Sequence, residues 1–283
     1  MRGELEAWLA PRLAAVEALF ATRFTEVWPP AFREPLAYPL ATGGKRIRPA
    51  LCFAACEAVG ADWSAATPAP AALELVHPYS LVHDDLPCMD DDDVRRGMPT
   101  VHKKWDDATA VLVGDALLTE AFAVLAELGA PAQVGALVRS LARAAGADGM
   151  VGGQAADIAG TNGALDVSTV ETLQRVHALK TGALIAAATG MGGISGGATP
   201  DQIRALDGYG RAVGLAFQLA DDVLDADQDA GETGPPSYVR LLGVDETTRR
   251  ARELADRACR AVAGFPAPQA LIALARFSVE RTV

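Results

Sequence analysis

The feature that most constrains this chain is a succession of alanine-rich segments whose apolar residues recur with the period of an α-helix, about 3.6 residues. No segment shows the two-residue alternation of a convincing β-strand. The pattern predicts one or two helices near the N-terminus and eight further helices, near 49–59, 68–85, 108–128, 132–145, 168–190, 200–226, 245–263 and 267–281. We therefore predict an all-α fold, a single-domain bundle of about ten helices over residues 1–283.

Three sites carry helix-start signals. Thr67 and Thr199 each place a hydroxyl directly before a proline, which favours a capped helix with proline in its first turn. Ser168 and Glu171 have the spacing of a capping box. Pro78 lies inside a helical segment and predicts a kink about two turns before an acidic cluster.

The net charge of -11 and the predicted isoelectric point of 4.8 argue against nucleic acid as a partner, because nucleic acid selects for a basic face. The N-terminal residues interleave charged and apolar side chains and do not resemble a signal peptide. We therefore expect a cytoplasmic protein. No run reaches about 18 uninterrupted apolar residues, so we expect no stable membrane insertion.

The four cysteines show neither paired zinc-ligand spacing nor the number expected of a disulfide scaffold: Cys52, Cys56, Cys88 and Cys259. We expect them to be reduced. Cys52 and Cys56 share a helix face at positions i and i+4. They are either small core residues or, alternatively, a metal-binding or redox pair.

An acidic cluster in the string DDLPCMDDDDVRRG contains six aspartates, Asp84, Asp85, Asp90, Asp91, Asp92 and Asp93. The cluster follows an apolar helix, so its first carboxylates lie at a helix C-terminus, where the helix dipole disfavours negative charge. Either the segment is a solvated acidic loop, or it binds cations. The spacing does not match an EF-hand.

A second acidic cluster lies in the string FQLADDVLD. Its polar residues are spaced i, i+3, i+4 and i+7, which predicts a shared helix face for Gln218, Asp221, Asp222 and Asp225. Two carboxylate clusters on separate helices suit Mg²⁺, which shares its ligand shell with water and phosphate oxygens. The alternative is a charged, solvent-exposed helix face.

A basic cluster, GGKRIRP, places Lys45, Arg46 and Arg48 behind two glycines that allow close approach to a ligand. Ammonium and guanidinium groups bind phosphate oxygens well. Taken alone, such a loop is often only solvated. Together with the acidic clusters, it indicates one diphosphate held through metal ions and a second held by protein cations.

These strings, with LVHPYSLVHDDLPCMDDDDVRRGMPTVH, GDALL, GGQAADI and HALKTGALI, occur in the order and approximate spacing of trans-isoprenyl diphosphate synthases, and most resemble bacterial short-chain farnesyl diphosphate synthases. The resemblance implies a homodimeric helical bundle around a deep cavity. It also implies condensation of isopentenyl diphosphate with an allylic diphosphate, dimethylallyl or geranyl diphosphate, through an allylic carbocation.

The resemblance also implies roles for individual residues. Three Mg²⁺ ions would be bound by Asp84, Asp85, Asp90, Asp221, Asp222 and Asp225. The allylic diphosphate would contact Arg95, Lys180 and Gln218, with Thr181 near the reacting carbons. Isopentenyl diphosphate would be held by Gly44, Lys45, Arg48, His77 and Arg96. His77 can equally be an ordinary core histidine.

Product length has one clue, Tyr79, which precedes Asp84 by five residues and lies roughly 7–8 Å along the helix from it. The ring is either the floor of the cavity or a core aromatic that points elsewhere. An aromatic residue here, followed by the small Ser80, is similar to farnesyl-producing members. Farnesyl diphosphate is therefore the predicted product, and geranyl or geranylgeranyl diphosphate the alternative.

One segment departs from the family pattern. Residues 226–239 contain no Lys or Arg, whereas family members usually have a longer segment with lysines that cover the diphosphate. A non-catalytic partner or regulatory subunit is therefore a rival reading, although such subunits tend to lose the Asp motifs, which are intact here. A class I terpene cyclase is a second rival, but it would not need the basic loop.

Overall fold

A computed structural model describes residues 2–41, 43–127, 131–226 and 236–280. These residues form fourteen α-helices and one short antiparallel hairpin, β1 (Val94–Arg95) and β2 (Met98–Pro99). The helices are α1 (Arg2–Arg23), α2 (Arg33–Ala41), α3 (Ile47–Ala58), α4 (Pro68–Asp84), α5 (Val101–Lys104), α6 (Asp107–Ala126), α7 (Pro131–Ala145), α8 (Met150–Thr161), α9 (Val170–His177), α10 (Ala183–Ser195), α11 (Pro200–Leu224), α12 (Tyr238–Leu242), α13 (Val244–Val262) and α14 (Gln269–Phe277).

The predicted all-α fold is confirmed, and a helix lies in each of the eight predicted segments. Helix α8 was not predicted, because its glycine-rich sequence weakens the helical signal. The segment 168–190 is not one regular helix, since a π-helical turn (Ala178–Gly182) joins α9 to α10. The β-hairpin was also not predicted, because its strands have only two residues each.

The three predicted helix starts have different outcomes. Thr199 forms a full capping box with the glutamine three residues later. Helix α4 begins after Thr67 as predicted, but the hydroxyl donates to the carbonyl oxygen of Ser64 and does not cap the helix. The box at Ser168 is wrong: Thr169 caps α9, because the Ser168 hydroxyl is bound by the carboxylate two residues before it.

Thr199, which caps its helix, and Thr67, which does not, provide a test of the capping assignment. Thr199→Ala is expected to lower the free energy of unfolding by about 1 kcal/mol, because the backbone N–H of Gln202 loses its acceptor. Thr67→Ala is the matched control, with an expected loss below about 0.5 kcal/mol because no capping bond is removed. Equal losses in urea unfolding of both variants would contradict this assignment.

Helix α10 lies at the centre of the bundle and packs against α3, α4, α7 and α11. The approach to α3 is close: a Cβ at Gly192 would overlap the carbonyl oxygen of Cys52. Cys52 and Cys56 are buried in this core, as the core-residue alternative predicted, and burial raises the pKa of both thiols. Neither thiol is therefore activated.

Helix α6 is, among the described residues, the one helix long and apolar enough to cross a membrane by length and composition. The criterion of uninterrupted apolar residues missed it because it contains Asp115 and Glu120. One face packs along α4, and Glu120 forms an ion pair with Arg23 of α1. These contacts are those of a bundle helix. The side chains of Val111 and Leu112 on this helix are exposed.

Candidate active site

A cationic cavity of about 320 Å³ opens between the basic loop, α4, the β-hairpin and α11. Its lining includes every residue predicted to hold isopentenyl diphosphate: Gly44, Lys45, Arg48, His77 and Arg96. Phe217 of α11 lies at its edge, with the Lys45 ammonium 5.3 Å from the ring centre. Gly44 and Phe217, which are 173 positions apart in the sequence, are thus brought to one cavity.

Two arginines make contacts that fix the conformation of the basic loop. Arg46 has a left-handed backbone (φ 48°), and its guanidinium forms an ion pair with the buried Glu74 of α4. Arg96 donates to the carbonyl oxygen of Gly43 and lies so close to Gly44 that a Cβ there would be 2.8 Å from its Nη1. The loop glycines therefore admit the Arg96 side chain. Lys45 and Arg48 are the other loop cations that line the cavity.

The charge in the cavity is unbalanced. Burial lowers the pKa of the Arg48 guanidinium, which Glu74 partly offsets, and the Arg48 Nε is buried without a hydrogen-bond partner in the described part of the chain. Burial, and then the charges of Arg48 and Arg96, hold the pKa of His77 well below its usual range. His77 is therefore neutral at pH 7 and can donate one N–H. An anion such as diphosphate would balance this positive charge.

The first Asp motif lies at the C-terminus of α4, as predicted. Burial raises the pKa of Asp84 to about 6, and the negative charges of Asp90 and Asp85 contribute, while Lys180 opposes the shift. The backbone N–H of Asp90 donates to the Asp84 carbonyl oxygen at 2.8 Å, so the loop turns back over the end of the helix. A partly buried group of carboxylates is the environment that a bound cation stabilises.

Arg95 binds two carboxylates of the acidic loop. Its Nε donates to Asp85 Oδ1 at 2.6 Å, and its Nη2 donates to Asp92 Oδ2 at 3.1 Å. Asp85 is only 4% exposed. Arg95 therefore neutralises the acidic loop in this structure, and its contact with the allylic diphosphate stays a prediction.

The second Asp motif is divided between two directions. Asp221 lies 3.5 Å from the Lys45 ammonium, at the side of the cationic cavity. Asp222 is buried and accepts hydrogen bonds from the Tyr238 backbone N–H (2.7 Å) and the Gln218 side chain (3.0 Å). Gln218 and Asp222 therefore lie on one helix face, as predicted, whereas Asp221 is directed toward Lys45, because consecutive helical residues point about 100° apart. Asp222 anchors α12 to α11, and Asp225 caps α11 in an exposed position.

Lys180 and Thr181 lie in the π-helical turn between α9 and α10. Such turns are frequent at functional sites, because they change the direction of side chains within a helix. The Lys180 ammonium lies 2.5 Å from Asp157 of α8. A Cβ at Gly153 would overlap the Lys180 backbone, so glycine is needed for this helix contact. Sequence reasoning assigned no role to Asp157, although the string GGQAADI contains it.

Tyr79 and Ser80 lie on α4, one turn before Asp84. Tyr79 is 5% exposed, and its ring packs edge-to-face against His83 with 5.9 Å between ring centres. Ser80 donates its hydroxyl proton to the His77 carbonyl oxygen. The role of Tyr79 in product length stays a prediction.

The donor set fits Mg²⁺. Asp84, Asp90 and Asp221 offer hard carboxylate oxygens, and the raised pKa of Asp84 indicates that added positive charge would stabilise its ionised form. In the described ranges, the one trio of His, Cys, Asp or Glu ligand atoms within 4.8 Å of one another belongs to other residues. A Mg²⁺ ion held by the predicted ligands would therefore need water or phosphate oxygens to complete its ligand shell.

The all-helical fold and the two Asp motifs beside a cationic cavity are the features that the resemblance to trans-isoprenyl diphosphate synthases implies. The family model described as polyprenyl synthetase matches residues 29–239, and the chain belongs to this family. The family consists of prenyltransferases that use isoprenoid diphosphates.

The chain is similar to several proteins of this family. The structure of an FPP/GFPP synthase from Zymomonas mobilis superposes with a TM-score of 0.90 at 39% identity, over 99% of this chain and 100% of that chain. A geranyltransferase from Legionella pneumophila gives a TM-score of 0.86 at 34% identity, over 99% and 97% of the two chains. Geranylgeranyl pyrophosphate synthase 7, chloroplastic, from Arabidopsis thaliana is 40% identical over 89% of this chain and 77% of its own length.

Proposed function

We propose that this chain condenses isopentenyl diphosphate with dimethylallyl or geranyl diphosphate in a Mg²⁺-dependent reaction, with farnesyl diphosphate as the main product. The observation that carries the proposal is the cationic cavity with Asp221 of the second Asp motif at its side. A diphosphate in the cavity would lie next to a second diphosphate at the carboxylates. The two substrates would thus be held side by side.

The residues divide between the two substrates. Lys45, Arg48 and Arg96 neutralise the diphosphate of isopentenyl diphosphate, and neutral His77 donates a hydrogen bond to it. Asp84, Asp90 and Asp221 would hold Mg²⁺. Bound Mg²⁺ supplies the positive charge that stabilises the departing allylic diphosphate.

The chain supplies no nucleophile for this reaction. The allylic C–O bond breaks and leaves an allylic carbocation, which the double bond of isopentenyl diphosphate attacks. The proton lost afterwards passes to the released pyrophosphate. Lys180, between Asp157 and Asp84, adds positive charge on the side of the leaving group. Apolar side chains beside the cavity, Leu81 and Phe217, help to exclude water, which would trap the cation as an alcohol.

Geranylgeranyl diphosphate is the second candidate product. Relatives at 40–42% identity carry names of geranylgeranyl pyrophosphate synthases, whereas a structural neighbour is named an FPP/GFPP synthase. The buried aromatic ring of Tyr79 near the metal ligands supports the shorter product.

We expect Arg48→Ala to raise the Michaelis constant for isopentenyl diphosphate by about tenfold or more, with a smaller change in kcat. The guanidinium contacts a phosphate remote from the reacting carbons, so it contributes mostly uniform binding. The constant for the allylic substrate is the internal control. A fall in kcat without that rise would contradict the assignment.

We also propose a cytoplasmic homodimer that packs through α6. This helix exposes the side chains of Val111 (42%) and Leu112 (56%). Leu112→Glu would place a charge at this exposed position and shift the protein toward monomer in analytical ultracentrifugation. Glu17→Lys, on α1, is a control for charge change at an exposed helical position. A monomeric unsubstituted protein would contradict the proposal.

The direct test uses the purified chain alone with radiolabelled isopentenyl diphosphate, millimolar Mg²⁺ and allylic acceptors of increasing length. We expect turnover with dimethylallyl and geranyl diphosphates, loss of turnover with excess chelator, and a product of fifteen carbons. Inactivity with both acceptors would contradict the proposed enzymatic activity and favour a non-catalytic partner subunit. A twenty-carbon main product would favour the second candidate. Turnover would also show that the segment 226–239, which contains no Lys or Arg, is compatible with activity. Residues 227–235 of this segment lie outside the described residues.

A further inference from the structure

A second cluster of metal-binding side chains lies beside the predicted Mg²⁺ ligands and shares none of them. Asp91, Asp93 and His102 each offer one ligand atom, and these atoms lie within 4.8 Å of one another. The two aspartates precede β1, and His102 lies in α5 after β2. The cluster therefore closes the base of the hairpin that carries Arg95 and Arg96.

His102 is the informative member because it is buried, 6% exposed, and its Nε2 has no hydrogen-bond partner in the described part of the chain. Its Nδ1 lies 3.1 Å from the Thr100 hydroxyl. That hydroxyl has one proton, which it donates to the Asp92 carbonyl oxygen at 2.8 Å. The hydroxyl oxygen therefore accepts from Nδ1–H, and Nε2 keeps a lone pair.

This arrangement matches the usual environment of a metal-binding histidine, in which one ring nitrogen donates to a protein oxygen and the other binds the ion. Two carboxylates and one imidazole favour a borderline transition metal over Mg²⁺, which prefers oxygen ligands alone. A cation already lies at the cluster, since the Lys103 ammonium is 2.8 Å from Asp93. The Lys103 side chain is 41% exposed, so it can move into solvent when an ion binds.

We propose that Asp91, Asp93 and His102 bind one divalent transition-metal ion of the zinc class. The ion fastens the base of the β-hairpin and so holds Arg95 and Arg96 in position. It is separate from the Mg²⁺ ions expected at Asp84 and Asp221.

The test measures Zn²⁺ binding to the full-length protein in excess Mg²⁺, by competition with a chromophoric chelator. No turnover is measured, so the result is independent of the prenyl-transfer reaction. We expect one Zn²⁺ per chain and at least about a tenfold loss of affinity in Asp93→Asn and in His102→Ala. Asp93 is exposed, so its variant keeps the test valid if the buried His102 variant does not fold.

Two neighbouring residues sharpen the test. Lys103→Met removes the competing ammonium and should strengthen Zn²⁺ binding, whereas Lys104→Met, which removes a charge paired with Glu34, should not change it. Cys88→Ser excludes the exposed thiol as the ligand and should also leave binding unchanged. Absence of Zn²⁺ binding, unchanged affinity in Asp93→Asn, or loss of binding in Cys88→Ser would overturn the proposal.

Discussion

Replacement of Asp84 or Asp221 with alanine is expected to lower kcat by at least about a hundredfold. Each carboxylate would hold Mg²⁺ against the departing diphosphate, and loss of that charge stabilisation is typically worth several kcal/mol. The Asp84 variant is expected to fold. Burial raises the pKa of Asp84 to about 6, so its ionised form is disfavoured by the fold.

The control is Asp201→Ala, an exposed aspartate in the first turn of α11, the helix that also carries Asp221. This variant should retain the unsubstituted rate. Circular dichroism melting would confirm that all three variants are folded. A near-normal kcat for the Asp84 or Asp221 variant would show that the metal ions bind elsewhere.

Replacement of Tyr79 with alanine is expected to change the main product from fifteen carbons to twenty or more. The ring is buried on α4, five residues before Asp84, where a chain anchored at the metal ions would run along the helix. Its removal opens space at that depth. Chromatography of the radiolabelled products measures the change.

Tyr79→Phe is the matched control, because it keeps the ring that packs against His83 and removes only the hydroxyl. This variant should still give the fifteen-carbon product. An alanine variant that is folded and active but still stops at fifteen carbons would show that Tyr79 does not limit product length.

Local sequence signals predicted the helices well, since periodicity and capping depend on neighbours within one or two turns. The cap at Thr199 and the end of α4 at Asp84, one residue before the predicted end at residue 85, are examples. The same signals failed at Ser168, where an aspartate two residues earlier binds the hydroxyl, and at α8, where glycines serve helix contacts.

Sequence reasoning also identified the residues that meet at the cationic cavity. The partners of each charge were less predictable, because they come from distant segments. Arg46 pairs with Glu74, Lys180 with Asp157, and Asp222 with the backbone of α12. Spacing along one helix cannot distinguish a carboxylate that binds metal from one that anchors a neighbouring helix.

Two diphosphates are expected to bind side by side, one on protein cations and one on metal-binding carboxylates. The most direct measurement is a crystal structure with isopentenyl diphosphate, an unreactive sulfur-bridged allylic diphosphate, and Mn²⁺ in place of Mg²⁺. We predict the isopentenyl diphosphate against Lys45, Arg48 and Arg96, and anomalous Mn²⁺ peaks between the allylic diphosphate and Asp84 and Asp221. Both diphosphates on the same residues, or Mn²⁺ away from both Asp motifs, would contradict this account.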